Sequence, residues 1–202
     1  MREVVVADNG SGDRTAEVAR AAGATVVTEP RRGYGAACLA ALAYLRRDPP
    51  AIVAFVDADR SDDPARLPEL VDPIRDGRAD LVIGSRTLGR AEHGALTPVQ
   101  RFGNALAVTL LRRLHGVRFT DLGPFRAIRW ETLERLGMRE RGYGWTVEMQ
   151  ARAARLRCAC LEVPVDYRRR GAGRSKVAGT VRGSIGAGAR ILVTIGRVAL
   201  GR

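Results

Sequence analysis

Cysteine and histidine are scarce in this sequence, and their scarcity excludes two classes of site. The cysteines are Cys38, Cys158 and Cys160, and the histidines are His93 and His115. An odd number of cysteines without a C-x-x-C spacing fits neither a zinc site nor a disulfide framework. We therefore expect a reduced, cytoplasmic protein without a metal site of nitrogen and sulfur ligands.

Long apolar runs are also missing. No stretch approaches the roughly 20 consecutive apolar residues that a transmembrane helix needs, and no secretory leader precedes Val4. The chain has 202 residues, of which 46% are hydrophobic, and this suffices for a globular domain with a sizeable core. We therefore expect a single domain that spans residues 1–202.

Lysine and aromatic residues are rare, although the formal net charge is +12. Lys176 is the only lysine, aromatic residues make up 5% of the chain, and the arginines are spread along it. Surfaces that bind nucleic acid usually cluster their cations and add aromatic side chains, so no nucleic-acid partner is expected. The charge fits an anionic partner such as a phosphate ester or an acidic membrane surface.

Short apolar strands alternate with helices in the first half of the chain. Strands are predicted at residues 3–8, 24–29, 51–56 and 79–86. Helices are predicted between them at 13–23, 36–47 and 64–77, the last broken near Pro73. This alternation predicts an α/β fold with a mostly parallel sheet flanked by helices.

The second half of the chain is less regular. Helices are predicted after residue 97, at about 145–156 and at the C-terminus, with a strand at 158–167. The first of these helices carries an apolar stripe at helical spacing, formed by Val99, Phe102, Leu106, Leu110 and Leu114. We interpret residues 1–86 as the half that binds a donor nucleotide and residues 87–202 as the half that binds an acceptor.

Acidic residues follow the third predicted strand, at the sheet edge where open α/β folds bind ligands. Asp57 and Asp59 are two residues apart, so in an extended segment their carboxylates point the same way. Oxygen ligands of this kind suit Mg²⁺ or Mn²⁺, and we favour a metal site over helix capping for this pair. Capping fits Asp62 and Asp63, which precede Pro64.

Polar residues end two other strands. Asp8 ends the first strand, and the Gly-Ser-Arg turn at 84–86 ends the fourth. Residues 9–13 predict a tight turn and a helix cap, which leaves ligand contact and a structural role equally open for Asp8.

Six segments carry a resemblance to a known family. In chain order they are VVVADNGSGDRT, GYGAACLAAL, FVDADRSDDP, VIGSR, DLGPFRAI and RRGAGRSKVAGT. They resemble the family 2 glycosyltransferases, and within them the dolichyl-phosphate mannose synthase and polyprenyl-phosphate glycosyltransferase group. The resemblance implies a GT-A (nucleotide-diphospho-sugar transferase) fold. Members of the family have one further strand before the strand at 3–8, so we expect the first strand of the fold to be missing here.

The resemblance implies a nucleoside-diphosphate sugar as donor and a Mg²⁺ or Mn²⁺ ion. Asp8 would contact the nucleoside base, and Asp57 and Asp59 match the D-x-D pair that holds the metal at the diphosphate. A basic loop would close over the donor phosphates through Arg170, Ser175 and Lys176.

The resemblance also implies a polyprenyl or dolichyl phosphate as acceptor, bound by Arg86 and Arg101, which with Asp59 would form the catalytic set. A phosphate nucleophile is already anionic and needs no general base. A metal and arginines can therefore catalyse the transfer by positioning and electrostatics. Direct displacement predicts inversion at the anomeric carbon.

Two other functions stay open at this point. A nucleotidyltransferase also uses acidic residues after a parallel strand. A non-catalytic basic module would bind anionic lipid or nucleic acid without any dependence on Asp57 and Asp59.

Residues 182–202 are apolar with interspersed arginines, and this segment is too short and too charged to span a membrane. We expect either an interfacial helix, which would make the protein peripheral at the inner face of the cell membrane, or a helix packed on the domain's own core.

Glu148 and the segment 33–35 can each be interpreted in two ways. Glu148 lies four residues before Arg152, which fits a helix-surface ion pair as well as a substrate contact. The Gly-Tyr-Gly segment at 33–35 is either a plain loop or a backbone contact to the donor.

Overall fold

The computed structural model describes residues 1–171 and 181–201, and its strands form two sheets. In the smaller sheet, β1 (Val5–Asp8) pairs in parallel with β2 (Thr25–Thr28). The helices α1 (Thr15–Ala21) and α2 (Tyr34–Leu45) follow these strands in the predicted order.

The larger sheet has the strand order β3-β5-β4-β6. Its strands are β3 (Ile52–Phe55), β4 (Leu81–Ser85), β5 (Arg126–Arg129) and β6 (Cys160–Pro164). β4 and β6 run parallel, whereas β5 runs antiparallel to both β3 and β4. β4 is buried along its whole length, as its continuous apolar sequence predicts. The α/β class is confirmed.

Residues 126–136 correct the assignment made from the sequence, which placed no strand or helix there. β5 has an arginine at each end, so its sequence RAIR looks polar, and α5 (Trp130–Leu136) follows directly. Arg126 is fully buried. Its burial is tolerated because its guanidinium donates hydrogen bonds to the carbonyls of Gly123 and Thr146. A buried cation paired with carbonyls gives no signal in a hydropathy pattern.

The helix break predicted at Pro73 is wrong. α3 (Leu67–Arg75) continues through Pro73, which lies in its last turn, where few helical hydrogen bonds remain to be lost. The carbonyl of Pro73 accepts hydrogen bonds from the backbone N–H groups of Arg78 and Ala79, at 2.9 and 3.1 Å. Leu70, on the same helix, is fully buried and fixes α3 on the sheet.

The helix predicted after residue 97 is confirmed as α4 (Pro98–His115). It begins with a capping box in which Thr97 and Gln100 bind each other's backbone N–H, and it ends at Gly116 in the left-handed conformation (φ 71°). These end signals are local, which explains why the sequence predicted this helix well.

Most of the apolar stripe of α4 faces outward, whereas Leu110 packs against the core. Phe102 is 70% exposed and Val99 57%, and Leu106 and Leu114 are exposed as well. The buried side of α4 is formed by Ala107 and Leu111 instead. The spacing thus predicted the helix but not the face that packs on the core. An exposed stripe of this length is typical of a surface that meets a partner or a membrane.

The C-terminal helix packs on the domain. α7 (Val181–Ala199) lies against α4 and α6 (Trp145–Arg155), with Ile195 and Val198 buried. This packing supports the expectation that the C-terminal segment is a helix packed on the domain's own core. The other side of α7 still exposes Leu192 and Val193. None of the helices within the described ranges is long and apolar enough to cross a membrane.

β1 and β3 each pair with a described strand on one side only. Within the described residues no hydrogen bonds join strands of the smaller sheet to strands of the larger one, and the missing first strand stays a prediction. Val4 and Val56, which flank these strands, are exposed. Open strand edges with exposed apolar neighbours favour self-association.

The segment 139–144, which precedes α6, joins the smaller sheet to the rest of the molecule. The N–H groups at 35 and 36, at the start of α2, donate to the carbonyls of Gly142 and Arg141 at 3.1 and 2.8 Å. The approach is so close that a Cβ added to Gly35 would overlap the carbonyl oxygen of Glu140. A glycine at this position is therefore required by the backbone of another segment.

Gly35→Ala should destabilise the fold, because a methyl group must displace backbone rather than a flexible side chain. We expect the free energy of unfolding to fall by about 1–3 kcal/mol or more, measured by denaturant titration. Gly103→Ala on α4 is the matched control, since its Cβ would meet open space. It should raise stability by about 0.5–1 kcal/mol. Equal effects of the two substitutions would contradict the packing of α2 on this segment.

Candidate active site

Two acidic side chains follow the carboxyl end of β3. Burial raises the pKa of Asp57, and the neighbouring charge of Asp59 raises it further. A buried carboxylate whose pKa is raised by an acidic neighbour is stabilised in its charged form by a cation placed beside it. The pair therefore has the charge and the oxygen ligands that Mg²⁺ and Mn²⁺ prefer.

Asp59 is held by partners from its own loop and from a distant one. Its Oδ1 accepts hydrogen bonds from the backbone N–H (2.9 Å) and the hydroxyl of Ser61. Its Oδ2 forms an ion pair with Nη2 of Arg170 at 2.8 Å, and its carbonyl accepts from the N–H of Gly171 at 2.9 Å. The guanidinium of Arg170 thus occupies one side of the carboxylate that the sequence assigned to a metal.

Asp62 and Asp63 behave differently from each other. Asp63 accepts a hydrogen bond from the N–H of Ala65 (3.0 Å) and caps the short 3₁₀ helix Pro64–Arg66, as predicted. Capping is wrong for Asp62, which is buried with no hydrogen-bond partner among the described residues for either carboxylate oxygen. Burial, followed by the charge of Asp57, raises the pKa of Asp62 to about 7.

The acids could hold a metal only with help from a substrate. Within residues 1–171 and 181–201 there is no group of three or more His, Cys, Asp or Glu side chains arranged around a single ion. Asp57 and Asp59 would therefore supply two ligands, and the others would come from diphosphate oxygens and water, as is common for Mg²⁺.

Asp8 ends β1, in the smaller sheet. Its Oδ1 accepts a hydrogen bond from the N–H of Ser11 at 3.0 Å, which supports the predicted turn. The neighbouring Asn9 donates to the carbonyls of Glu29 and Arg31 and accepts from the N–H of Gly33. The turn after β1 is thereby tied to the loop before α2.

Arg86 is fixed by a residue that sequence reasoning missed. Asp121 accepts hydrogen bonds from the backbone N–H, Nε and Nη2 of Arg86 at 2.8, 2.7 and 2.8 Å, and the guanidinium lies 5.0 Å from the ring centre of Tyr167. Burial alone would lower the pKa of Arg86, but Asp121 raises it above its ordinary value. The charge is therefore permanent and its orientation is set by Asp121.

Arg86 and Arg101 line one cleft of about 520 Å³ between α4 and the end of β4. Arg101 is exposed at its rim. The other polar lining residues include Gln100, Asn104, Thr109, Thr120 and Asp121, and the apolar ones are Ala91, Leu96, Ala105 and Val108. The structure thus brings together the two arginines that the sequence assigned to an acceptor phosphate, beside an apolar wall.

Other predicted residues have structural roles or lie elsewhere. Glu148 is buried and accepts hydrogen bonds from Nε of Arg152 (2.9 Å) and from the N–H groups of Arg139 and Glu140. The ion pair predicted for Glu148 and Arg152 therefore forms, but it is largely buried and not on the helix surface. Ser175 and Lys176 lie outside the described residues, so their predicted contact with the donor stays a prediction.

Comparison with known proteins decides the family. The family model described as glycosyl transferase family 2 matches residues 2–159. The chain belongs to this family. The nucleotidyltransferase and the non-catalytic basic module are therefore excluded as descriptions of the protein, which is an enzyme of the glycosyltransferase class.

Relatives of this glycosyltransferase agree with the assignment. The chain is 43% identical over 182 residues to an uncharacterised glycosyltransferase of Mycobacterium tuberculosis, covering 90% of this chain and 80% of that protein. It is 34% identical over 194 residues to the undecaprenyl-phosphate mannosyltransferase of Micrococcus luteus, covering 90% and 78%.

A solved structure shows the same fold. Glucosyl-3-phosphoglycerate synthase from Mycobacterium tuberculosis, crystallised with Mn²⁺, uridine-diphosphate-glucose and phosphoglyceric acid, superposes with a TM-score of 0.72 at 25% identity. The match covers 97% of this chain and 69% of that one. The GT-A fold is thereby confirmed for this chain.

Arg170→Ala should increase the affinity for Mn²⁺ in the absence of nucleotide, because the ion would no longer compete with the guanidinium at Oδ2 of Asp59. A partly exposed ion pair is worth about 1 kcal/mol, or roughly fivefold in affinity. The measurement is a titration of free Mn²⁺ by electron paramagnetic resonance. Arg169→Ala is the matched control, because the guanidinium of Arg169 donates to the carbonyl of His93 instead. If both variants change the affinity equally, the effect is one of overall charge and the prediction is wrong.

Proposed function

We propose that this glycosyltransferase moves a sugar from a nucleoside-diphosphate donor to a polyprenyl phosphate, with inversion and with the help of Mg²⁺ or Mn²⁺. The observation that carries the proposal is the position of Arg86. Its guanidinium acts against the rise in pKa of Asp57 and Asp62, and it also lines the cleft beside α4. One cation thus lies between an acidic site that suits a metal diphosphate and a cleft that suits a second phosphate.

The donor would bind to residues 1–86. Asp57 and Asp59 would hold the metal, and Asp8, at the end of β1, would contact the nucleoside base. The relative that was crystallised with Mn²⁺ and uridine-diphosphate-glucose supports a nucleotide sugar and a divalent ion. From the second half of the chain, three residues would reach the donor phosphates, namely Arg170, Ser175 and Lys176.

The acceptor would bind in the cleft formed by residues 87–202 together with Arg86. A lipid phosphate needs cations for its head and an apolar wall for its first isoprene units, and the cleft has both. The planar guanidinium groups of Arg86 and Arg101 suit a phosphate better than ammonium groups would. The named activity of the Micrococcus luteus relative supports this acceptor class.

The reaction would be a direct displacement. A phosphate oxygen held by Arg86 and Arg101 attacks the anomeric carbon, and the bond from that carbon to the donor diphosphate breaks. The nucleophile carries no proton that must be removed, so the site needs no general base. A metal bound by Asp57 and Asp59 would stabilise the charge of the leaving diphosphate. Asp121 would keep Arg86 in place throughout.

We also propose that the enzyme acts as a peripheral protein at the inner face of the cell membrane. The stripe on α4 exposes Val99, Phe102 and Leu106, and Phe102 and Leu106 lie one turn from Ala105 and Thr109, which line the cleft. The outer side of α7, which packs beside α4, adds further exposed apolar residues. A lipid entering the cleft from a membrane would therefore cross an apolar surface.

The function is tested by Asp59→Asn, which keeps the size of the side chain and removes its charge. We expect metal-linked binding of the nucleoside diphosphate to be lost and sugar transfer to a polyprenyl phosphate to fall by about 10²–10³-fold, equivalent to ~3–4 kcal/mol. The measurements are calorimetry with Mn²⁺ and a panel of nucleoside diphosphates, and a labelled-sugar transfer assay. Asp63→Asn is the control, because Asp63 caps the short 3₁₀ helix and pairs with Arg168 but is not one of the proposed metal ligands. Unchanged metal-linked binding in the Asp59 variant would refute the donor site.

Membrane association is tested on the α4 stripe. Phe102→Glu should lower co-sedimentation with phosphatidylglycerol vesicles several-fold, because a charge must then enter the apolar interface. Val18→Glu on α1 is the matched control, since Val18 is 59% exposed but lies beside the smaller sheet. If both variants bind the vesicles as strongly as the wild-type protein does, α4 does not face the membrane.

A further inference from the structure

The loop 120–123, which carries Asp121, has its backbone held by side chains instead of by strand or helix hydrogen bonds. Seven of its N–H and C=O groups have a side-chain partner. These partners come from four different elements and are Asn104 on α4, Arg126 on β5, Gln150 on α6 and Glu162 on β6. We call these four residues the loop clamp.

Glu162 makes the central contacts of the loop clamp. Its carboxylate accepts hydrogen bonds from the N–H of Thr120 at 2.8 Å and from the N–H of Asp121 at 3.1 Å. It reaches them from β6, about 40 residues further along the chain, which lies beside β4 in the sheet. Two consecutive N–H groups on one carboxylate fix the direction of the peptide between them.

The other three members hold the carbonyls and the next N–H. Asn104 donates to the Thr120 carbonyl (3.1 Å) and accepts from the N–H at 122 (2.8 Å). Gln150 donates to the Asp121 carbonyl at 2.9 Å, and Arg126 donates to the Gly123 carbonyl at 3.0 Å. Gln150 and Arg126 are fully buried.

A buried polar network is stable only when each of its polar groups has a hydrogen-bond partner, because an unpaired group in the interior costs free energy. What it secures here is the position of the Asp121 carboxylate, which makes three hydrogen bonds to Arg86. Asp121 lies at the wall of the cleft, but its side chain is only 1% exposed and both of its carboxylate oxygens bind Arg86. A shift of the loop would therefore be transmitted directly to the orientation of the Arg86 guanidinium.

We propose that Glu162 is a positioning residue for the acceptor phosphate, acting through Asp121 and Arg86. The inference rests on the proposed function, because it takes the cleft beside α4 as the acceptor site. Glu162 does not itself line that cleft. Its effect reaches the phosphate only through the loop that it holds.

Glu162→Gln is the informative substitution. It keeps the size of the side chain, but its amide group has one acceptor oxygen and an NH₂ that would face backbone N–H donors. We expect the KM for a short polyprenyl phosphate, and the Kd for farnesyl phosphate measured by calorimetry, to rise about 10–100-fold, by analogy with the loss of residues that orient metal ligands. The KM for the nucleotide sugar should stay within about twofold.

Glu148→Gln is a matched control. Like Glu162, Glu148 is a carboxylate that accepts from two consecutive backbone N–H groups, those of Arg139 and Glu140. It lies outside the lining of the cleft. This control should lower thermal stability without raising the KM for the acceptor.

A double-mutant cycle separates positioning from general destabilisation. In the background of Arg86→Ala, Glu162→Gln should add less than about twofold to the Kd for farnesyl phosphate, because the group that it positions is gone. A full additional loss in that background, an equal rise in the KM for the donor, or no effect in the wild-type background would each overturn the inference. If Glu162→Gln does not fold, Gln150→Met removes a hydrogen bond to the same loop and replaces it in the cycle.

The experiment distinguishes failure of the proposed function from failure of the role of Glu162. If the wild-type chain neither binds farnesyl phosphate nor transfers sugar to a polyprenyl phosphate, the proposed function is wrong, and the role of Glu162 is wrong with it. If the wild-type chain does both and Glu162→Gln behaves like Glu148→Gln, only the inference about Glu162 is wrong.

Discussion

Several carboxylates lie close together at one end of the larger sheet, and the arrangement of the site follows from the need to balance their mutual repulsion. Asp57 and Asp59 follow β3, and Asp121 lies on the loop before β5. Asp62 is buried beside them, with no hydrogen-bond partner in the described part of the chain. Burial keeps water from screening these charges, so cations must compensate them. Arg86 does so on one side, and Arg170 does so at Asp59. A divalent ion bound together with a diphosphate would neutralise the remaining negative charge of Asp57 and Asp59.

The same constraint explains why the two halves of the chain meet at Arg86. Arg86 directly follows β4, a fully buried strand, and its partner Asp121 lies on a loop held by four different elements. A cation that is fixed so firmly can serve both neighbouring sites without reorganisation, which is how preorganised charge contributes to catalysis. The exposed face of α4 would then bring the lipid acceptor to the other side of this cation.

Much of this architecture could be predicted from the sequence where the signals are local. The strands β1 to β4, the helix α4 with its capping residues, and the acids after β3 all follow from short patterns of apolar and polar residues. β5 could not be predicted, because its arginines look polar and the carbonyls that satisfy Arg126 lie in the neighbouring loop and on α6. The role of Asp121, the burial of Asp62 and the contact between Arg170 and Asp59 depend on residues far apart in the chain, and no spacing rule relates them.

The central claim is tested most directly by the products of one reaction. The purified chain would be incubated with Mn²⁺, a nucleotide sugar and a short polyprenyl phosphate, and followed by ³¹P and ¹H nuclear magnetic resonance. The account predicts a nucleoside diphosphate and a glycosyl phosphodiester of the lipid whose anomeric configuration is opposite to that of the donor. Release of pyrophosphate, or a phosphodiester with the configuration of the donor, would contradict it.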